Sequence, residues 1–160
     1  MNVVSNTSPI TNLAAIGRLD LLRLLYGSVR IPAAVFAELT EQPNQPGGAE
    51  VQAFPWIATR PVGDRTLVTS LLGELDAGEA EAIALSIESK ADLFLIDERL
   101  GRRVAARFGI RLTGLLGVLF EAKQHGYLAS VKPVVDELIH VAAFRISDSL
   151  YRSVLRLAGE

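Results

Sequence analysis

The chain contains no cysteine, one tryptophan and only two histidines among its 160 residues. Without cysteine it can form no disulfide, no thiolate metal site and no cysteine nucleophile. His125 and His140 share no metal-ligand spacing, so we expect both to be structural or exposed. The sequence also has no glycine fingerprint of the Walker or Rossmann kind, and no serine lies in a His–Asp context. These absences exclude thiol chemistry and give no support to the common nucleotide-binding motifs.

Long apolar runs are missing as well. No run reaches the roughly 18 residues that a transmembrane helix needs, and the N-terminus has no basic segment before an apolar stretch. We therefore expect no membrane span and no signal peptide, and a cytoplasmic location. The net charge of -2 and the pI of about 5.7 exclude a strongly basic nucleic-acid binder. Local basic patches remain compatible with nucleic acid, because patches matter more than the total.

Short apolar runs alternate with helical patterns along the whole chain. With 49% hydrophobic residues, a chain of this length can bury one well-formed core. The alternation predicts an α/β fold in which a parallel sheet is covered by helices on both faces. We expect a single domain over residues 1–160, with residues 126–160 forming a helical extension packed on the same domain.

The stretch from Ala91 to Arg99 organises this pattern. Leu93 to Ile96 reads as a buried strand, and Asp97 and Glu98 follow it directly. Ligands of open α/β sheets gather beyond the carboxyl ends of the strands. We therefore expect the chemistry of the protein near Asp97.

Side chains with oxygen donors fall at four strand-to-helix turns or nearby helix segments: Asn6, Glu38, Glu79 and Asp97. Separated carboxylates can converge only through the fold. Three oxygen donors in one cleft are what Mg²⁺ or Mn²⁺ accepts, with water filling the other positions. Such an ion lowers the pKa of a bound water and stabilises developing charge on a phosphate.

Each of these residues also has a plainer interpretation. Asp76 and Glu79 fit a capping box at the start of a helix. Asp97 fits the N-cap of the arginine-rich helix that follows it, Glu38 fits a solvated carboxylate, and Asn6 fits a turn-forming residue. The arginines of that helix, among them Arg99, Arg102 and Arg103, fit either a solvated face or a surface that holds a nucleic-acid backbone.

Four segments in a fixed order resemble PIN domains. They are residues 3–10 (VVSNTSPI), 32–39 (PAAVFAEL), 75–85 (LDAGEAEAIAL) and 95–103 (LIDERLGRR). The resemblance covers roughly residues 1–125, and its specificity comes from the ordered set. The tail, with residues 144–148 (FRISD), resembles that of a subgroup of small prokaryotic, VapC-like PIN proteins.

The resemblance implies a three-layer α/β/α fold whose central parallel sheet has about four or five short strands. It also implies Mg²⁺- or Mn²⁺-dependent cleavage of RNA phosphodiester bonds, and in many small members a toxin that a small antitoxin protein inhibits. Such members are commonly homodimers. By position, the resemblance assigns catalytic roles to Glu38, Glu79 and Asp97. The metal set adds Asn6 and Glu98, with Glu81 as a register alternative. From their clustering beside Asp97, we expect Arg99, Arg102 and Arg103 to hold the RNA.

One position departs from the family pattern. The usual first acid is Asp, and here the matching residue is Asn6. An asparagine offers a carbonyl oxygen to a cation but no charge, and we hypothesise that Glu98 supplies part of the missing charge. The departure leaves a second function open: a PIN-like module with a weakened metal site that binds RNA or a protein partner. A phosphatase on a similar sheet ranks below both, because it needs a nucleophilic Asp where this chain has Asn6.

Overall fold

A computed structural model describes residues 1–160. Five strands form its sheet: β1 Val3–Ser5, β2 Val29–Pro32, β3 Ile57–Arg60, β4 Leu93–Leu95 and β5 Leu112–Thr113. Ten helices accompany them: α1 Thr7–Ala15, α2 Asp20–Tyr26, α3 Ala33–Leu39, α4 Gly48–Ala53, α5 Arg65–Leu71, α6 Ala77–Glu88, α7 Arg99–Arg107, α8 Leu115–Gln124, α9 Lys132–His140 and α10 Asp148–Leu157.

The sheet has the order β3-β2-β1-β4-β5, and every pair of neighbours is parallel. β1 lies at its centre, with Val4 opposite Arg30 on one side and opposite Phe94 on the other. The chain therefore leaves β1 toward one edge and returns toward the other, so the strand order reverses between β1 and β4. Ligands of open α/β sheets bind outside the carboxyl ends of the strands at such a reversal.

Alternation along the central strands gives the sheet two apolar faces, because successive side chains point to opposite sides. Val3 and Leu93 belong to a buried cluster of 25 residues on one face. Val4 and Phe94 belong to a cluster of 14 on the other. The first face is covered by helices that include α1, α2, α8 and α9, and the second by α5, α6 and α7. This confirms the predicted three-layer arrangement with a five-stranded parallel sheet.

The last two helices pack on the larger cluster. Leu138 of α9 is fully buried there, and Val154 of α10 is 3% exposed. Glu160 ties this layer down, since its carboxylate accepts hydrogen bonds from the backbone N–H groups of Val131 and Lys132 and from Lys123 Nζ. These contacts hold the C-terminal helices against α8.

Single residues set the bounds of two further elements. Strand β3 ends at Arg60 because the next residue, Pro61, carries no N–H for the ladder. It lies at the sheet edge, as expected for a strand next to proline. The apolar positions of helix α5 do not predict a helix clearly, because the polar residues Arg65, Thr66 and Thr69 interrupt them. Its signal is Asp64, whose side chain accepts the Leu67 N–H at 3.0 Å as an N-cap.

None of the ten helices is long and apolar enough to cross a membrane.

Candidate metal centre

A polar cleft lies outside the carboxyl ends of β1 and β4, at the reversal of the strand order. It has a volume of about 300 Å³, and none of its lining residues is hydrophobic. The lining residues are Asn6, Thr7, Ser8, Thr11, Asn12, Glu38, Gln45, Asp76, Glu79 and Glu98. Four of the ten carry carboxylates and none carries a positive charge.

Asn6 forms the floor of the cleft at the end of β1. The residue is 3% exposed, and its backbone N–H donates to the carbonyl of Leu95 at 2.9 Å. Its side-chain Nδ2 donates to Glu98 Oε2 at 3.1 Å. Because the nitrogen is directed at Glu98, the Oδ1 atom remains as the acceptor that Asn6 offers to the cleft. The hypothesis that Glu98 compensates for Asn6 therefore has a direct contact behind it.

Glu38 enters from the end of α3. Its Oε2 accepts a hydrogen bond from Thr7 Oγ1 at 3.0 Å, so the side chain is held although much of it is exposed. Burial raises the pKa of Glu38, and the carboxylates of Asp76 and Glu98 raise it further. The Thr7 hydroxyl opposes this rise, because it donates to the charged form.

Glu79 enters from the first turn of α6. Half of the expected capping box is present, since Asp76 caps the helix by accepting the Glu79 N–H at 2.8 Å. The other half is not formed, and the Glu79 side chain lines the cleft instead. The pKa of Glu79 is raised from 4.5 to about 8, and burial is the largest cause. Asp76 contributes next to this rise, followed by Glu98 and Glu38.

Two glycines leave room for the carboxylates. A Cβ atom on Gly78 would lie 2.8 Å from Glu38 Oε2, 3.5 Å from Asp76 Oδ1 and 3.7 Å from Asn6 Oδ1. A Cβ atom on Gly101 would lie 2.9 Å from Glu79 Oε2. Oxygen atoms from three elements therefore surround the space that a side chain at position 78 would fill.

These donors fit a hard divalent cation. Carboxylate and amide oxygens are the ligands of Mg²⁺ and Mn²⁺, and a positive ion would relieve the repulsion among the four carboxylates. No three acidic or histidine side chains converge closely enough to form a closed metal cage. Mg²⁺ is commonly held by one or two carboxylates while it keeps several waters, so an open polar cleft suits it.

Asp97 does not line this cleft. Its Oδ1 accepts the backbone N–H of Leu115 at 3.1 Å, at the start of α8. The residue lines a second cavity of about 360 Å³ together with Arg102. Burial raises the pKa of Asp97, while the Leu115 N–H and Arg102 lower it. Glu98 occupies the N-cap position of α7, whereas Asp97 accepts the first backbone N–H of α8, whose own N-cap residue is Gly114.

Glu81 also lies outside the cleft. Its side chain is buried, accepts the Ala34 N–H at 2.9 Å and pairs with Arg65 at 3.0 Å. It thus joins the start of α3 to α5 and α6. The predicted RNA-binding arginines are also absent from the cleft lining. Arg102 donates to the carbonyl of Ile96 at 2.7 Å, whereas Arg99 and Arg103 are exposed one turn apart on α7.

Several lining residues were not predicted from the sequence. Asp76 was interpreted only as a helix cap, and it supplies a fourth carboxylate. Ser8, Thr11 and Asn12 form a hydroxyl and amide wall on α1. Their helical spacing was the available signal, since residues three or four apart lie on one helix face.

The family assignment agrees with this architecture. A family model described as a PIN domain matches residues 2–160, which is nearly the whole chain. No curated protein matches the chain. Since the family match spans far more than half of the sequence, the chain belongs to the PIN-domain family.

Proposed function

We propose that the protein is a metal-dependent ribonuclease that cleaves RNA phosphodiester bonds. PIN domains are generally nucleases and are typically dependent on a divalent metal ion. The observation that carries the proposal is the cleft itself, which four carboxylates and an amide oxygen line beyond the carboxyl ends of β1 and β4, with no basic residue among them. Such a cluster is electrostatically unfavourable alone and favourable around a cation.

The ion would draw its ligands from Glu38, Glu79, Glu98 and the Oδ1 atom of Asn6, with water completing the coordination, because no three of the acids converge on one point. When bound, the ion supplies Lewis-acid stabilisation of the phosphate and activation of water. Thr7 keeps Glu38 directed into the cleft, and the Asn6 amide does the same for Glu98. Glu79, whose pKa is about 8, holds a proton near neutral pH and must release it to act as a ligand.

Arg99 and Arg103 would hold the RNA backbone. Both are exposed, neither belongs to any of the salt bridges within the chain, and α7 begins directly after Glu98. Arg107, by contrast, pairs with Glu74 at 2.6 Å. Free guanidinium groups beside an acidic cleft can bind phosphates while the ion in the cleft meets the scissile one.

The decisive test is cleavage of a mixed RNA pool by purified protein with Mn²⁺, with and without EDTA. We expect cleavage that EDTA abolishes and that Glu79→Gln lowers by about 100-fold or more, because the substitution removes a ligand charge. Glu74→Gln, an exposed carboxylate outside the cleft, is the matched control and should retain activity. Cleavage that survives both EDTA and Glu79→Gln would contradict the proposal.

The neutral side chain of Asn6 favours a second candidate function, a PIN module that binds RNA or a protein partner without cleaving it. The two functions separate in the same experiment. A folded native protein that retains RNA in a binding assay but never cuts it supports the second. In that case Asn6→Asp, which restores the usual acid, should create metal-dependent cleavage.

We further propose that the protein is the toxin of a VapC-like toxin–antitoxin pair that acts in the cytoplasm as a homodimer. The sequence resemblance of residues 144–148 supports this. Induced expression in a bacterial host should arrest growth, and Glu79→Gln should not. A small protein encoded beside the gene should relieve the arrest, and sedimentation should show a dimer. Normal growth on induction of the active native protein would contradict the toxin role.

A further inference from the structure

We propose that Asp97 is a positioning residue that orients Glu98, and that Glu98 is the acid of this segment that faces the metal ion. The inference rests on the proposed metal-dependent function and divides the Asp97–Glu98 pair into two roles. It replaces the expectation, drawn from the sequence resemblance, that Asp97 is itself a ligand.

The two carboxylates point to different cavities. Glu98 lines the polar cleft, and Asp97 lines the neighbouring cavity with Arg102, Thr113 and Gly114. Glu98 has an extended backbone, with φ of -62° and ψ of 128°. These angles are close to polyproline II, in which the side chains of neighbouring residues point about 120° apart. When Asp97 is fixed on one side, Glu98 is therefore directed away from that side.

Asp97 is held by contacts with the start of α8. Both of its oxygens lie within hydrogen-bond distance of the Leu115 N–H, at 3.1 and 3.4 Å. Gly114 lies so close that a Cβ there would be 2.5 Å from Asp97 Oδ1. Arg102 fixes the residue before it, because Nη1 donates to the Ile96 carbonyl at 2.7 Å. The carboxylate is thus a structural acceptor at the start of α8.

Glu98, unlike Asp97, is exposed and accepts no backbone hydrogen bond through its side chain. Its only side-chain hydrogen bond comes from Asn6 Nδ2, at 3.1 Å, and this partner is itself at the floor of the cleft. An aspartate at position 6 would repel Glu98, whereas the amide holds it. The charge that the usual first acid would supply is therefore provided from the end of β4 rather than from the end of β1.

A conservative substitution separates the two roles. Asp97→Asn keeps an oxygen that can accept the Leu115 N–H, so it should preserve the position of Glu98. Asp97→Ala removes the acceptor, and Glu98→Gln leaves the position but removes the charge. Mn²⁺ titration by calorimetry should give an affinity for Asp97→Asn within about threefold of the native value, while Glu98→Gln and Asp97→Ala each lose about tenfold or more.

The side-chain amide resonance of Asn6 gives a second measurement that needs no metal. It reports the contact with Glu98, so it should be unchanged in Asp97→Asn and shifted in both Asp97→Ala and Glu98→Gln. If Asp97→Ala does not fold, the comparison of Asp97→Asn with Glu98→Gln still decides between the roles.

The outcomes are distinct. Equal losses of affinity in Asp97→Asn and Glu98→Gln would make Asp97 a ligand and overturn the inference. An Asn6 resonance that does not move in folded Asp97→Ala would overturn it as well. If the native protein binds no Mn²⁺, the proposed function fails, and the Asn6 resonance alone decides whether Asp97 orients Glu98.

Discussion

At the scale of single residues, Glu79 shows how crowding of carboxylates affects the metal-free protein. It lies beside Asp76, Glu38 and Glu98, and burial together with these neighbours raises its pKa to about 8. When folding raises the pKa of an acid, the folded protein is more stable with that acid protonated than with it ionised. The carboxylate form, which a metal ion needs, is therefore the form that destabilises the metal-free protein.

The pH dependence of stability follows from this sign. Below pH 4.5 Glu79 is protonated in both the folded and the unfolded state. Its contribution to the free energy of unfolding of the metal-free protein is then at its maximum. As the pH rises toward and through 8, the unfolded state releases the proton first and stability falls. Solvent screening limits the fall to the order of 1 kcal/mol. Denaturant unfolding at pH 5 and pH 9 in EDTA should show it, and Glu79→Gln should remove it, while Glu41→Gln should not.

Gly78 offers a test of the space between the carboxylates. In a helix, Gly→Ala normally stabilises a protein by about 0.5–1 kcal/mol. Here the added Cβ would lie 2.8 Å from Glu38 Oε2. We expect Gly78→Ala to keep or raise the free energy of unfolding and to weaken Mn²⁺ binding by about tenfold. Gly73→Ala, outside the cleft, is the control. Unchanged Mn²⁺ affinity in Gly78→Ala would show that the ion does not occupy this space.

At the scale of elements, helix α6 presents two acids to two different surroundings. Glu79 lines the cleft, whereas Glu81 binds the start of α3 and Arg65 of α5. Residues two apart on a helix do not share a face. Because of this spacing, Glu79 faces the cleft and Glu81 takes part in the packing of three helices.

Glu81→Gln should therefore act on stability rather than on metal binding. The substitution weakens the pair with Arg65 and replaces a charged acceptor of the Ala34 N–H. A loss of roughly 1–3 kcal/mol in unfolding free energy is expected, with Mn²⁺ affinity unchanged in the folded protein. Denaturant titration and calorimetry on the same sample would check both. A tenfold loss of metal affinity at full stability would instead make Glu81 a ligand.

Helix α7 begins beside the cleft, directly after Glu98, and Arg99 and Arg103 are exposed on its surface. The double variant Arg99→Ala, Arg103→Ala should weaken RNA binding and lower the salt dependence of log K by about 0.7 per lost phosphate contact. Fluorescence anisotropy with a labelled single strand across a KCl series would measure both. Arg145→Ala, an exposed arginine of the tail, is the matched control. A salt slope equal to the native one would place the RNA elsewhere.

At the scale of the whole molecule, metal binding should stabilise the fold, because the ligands come from elements that only the folded chain brings together. At a Mg²⁺ concentration of 100 times the Kd, linkage gives about 2.7 kcal/mol. In a domain of this size that corresponds to a rise in Tm of roughly 5–10 °C. Scanning calorimetry with MgCl₂ against NaCl of equal ionic strength would detect it. The rise should be lost in Glu38→Gln, and its absence in the native protein would count against the site.

The sequence predicts those features of the fold and of the cleft that depend on residues close together in the chain. It does not predict contacts between residues that are far apart in the chain. The strands of the parallel sheet follow from local patterns, because each buried strand is a short apolar run between helices. The convergence of Asn6, Glu38 and Glu79 on one cleft could be expected from their positions at strand-to-helix turns or nearby. The direction of Asp97 could not, since its partner Leu115 lies 18 residues further along the chain.

The same limit applies to Asp76 and Glu81. Local rules explain Asp76 as a cap, and it does cap α6, but its presence in the cleft depends on how α6 meets α3. The buried Glu81 was not expected, because its partners Ala34 and Arg65 are brought near it only by the fold. Spacing finds which residues share a helix face and cannot tell what that face contacts.

No hydrophobic residue lines the cleft, and this has a consequence for inhibitor design. A compound that enters it gains little from removing hydrocarbon from water, which is the usual source of affinity for drug-like molecules. Bulk and lipophilicity would therefore be poor guides to potency here. A useful lead would instead be a small polar chelator whose oxygen atoms share the ion with the protein, and its potency would vary with the divalent metal in the assay buffer.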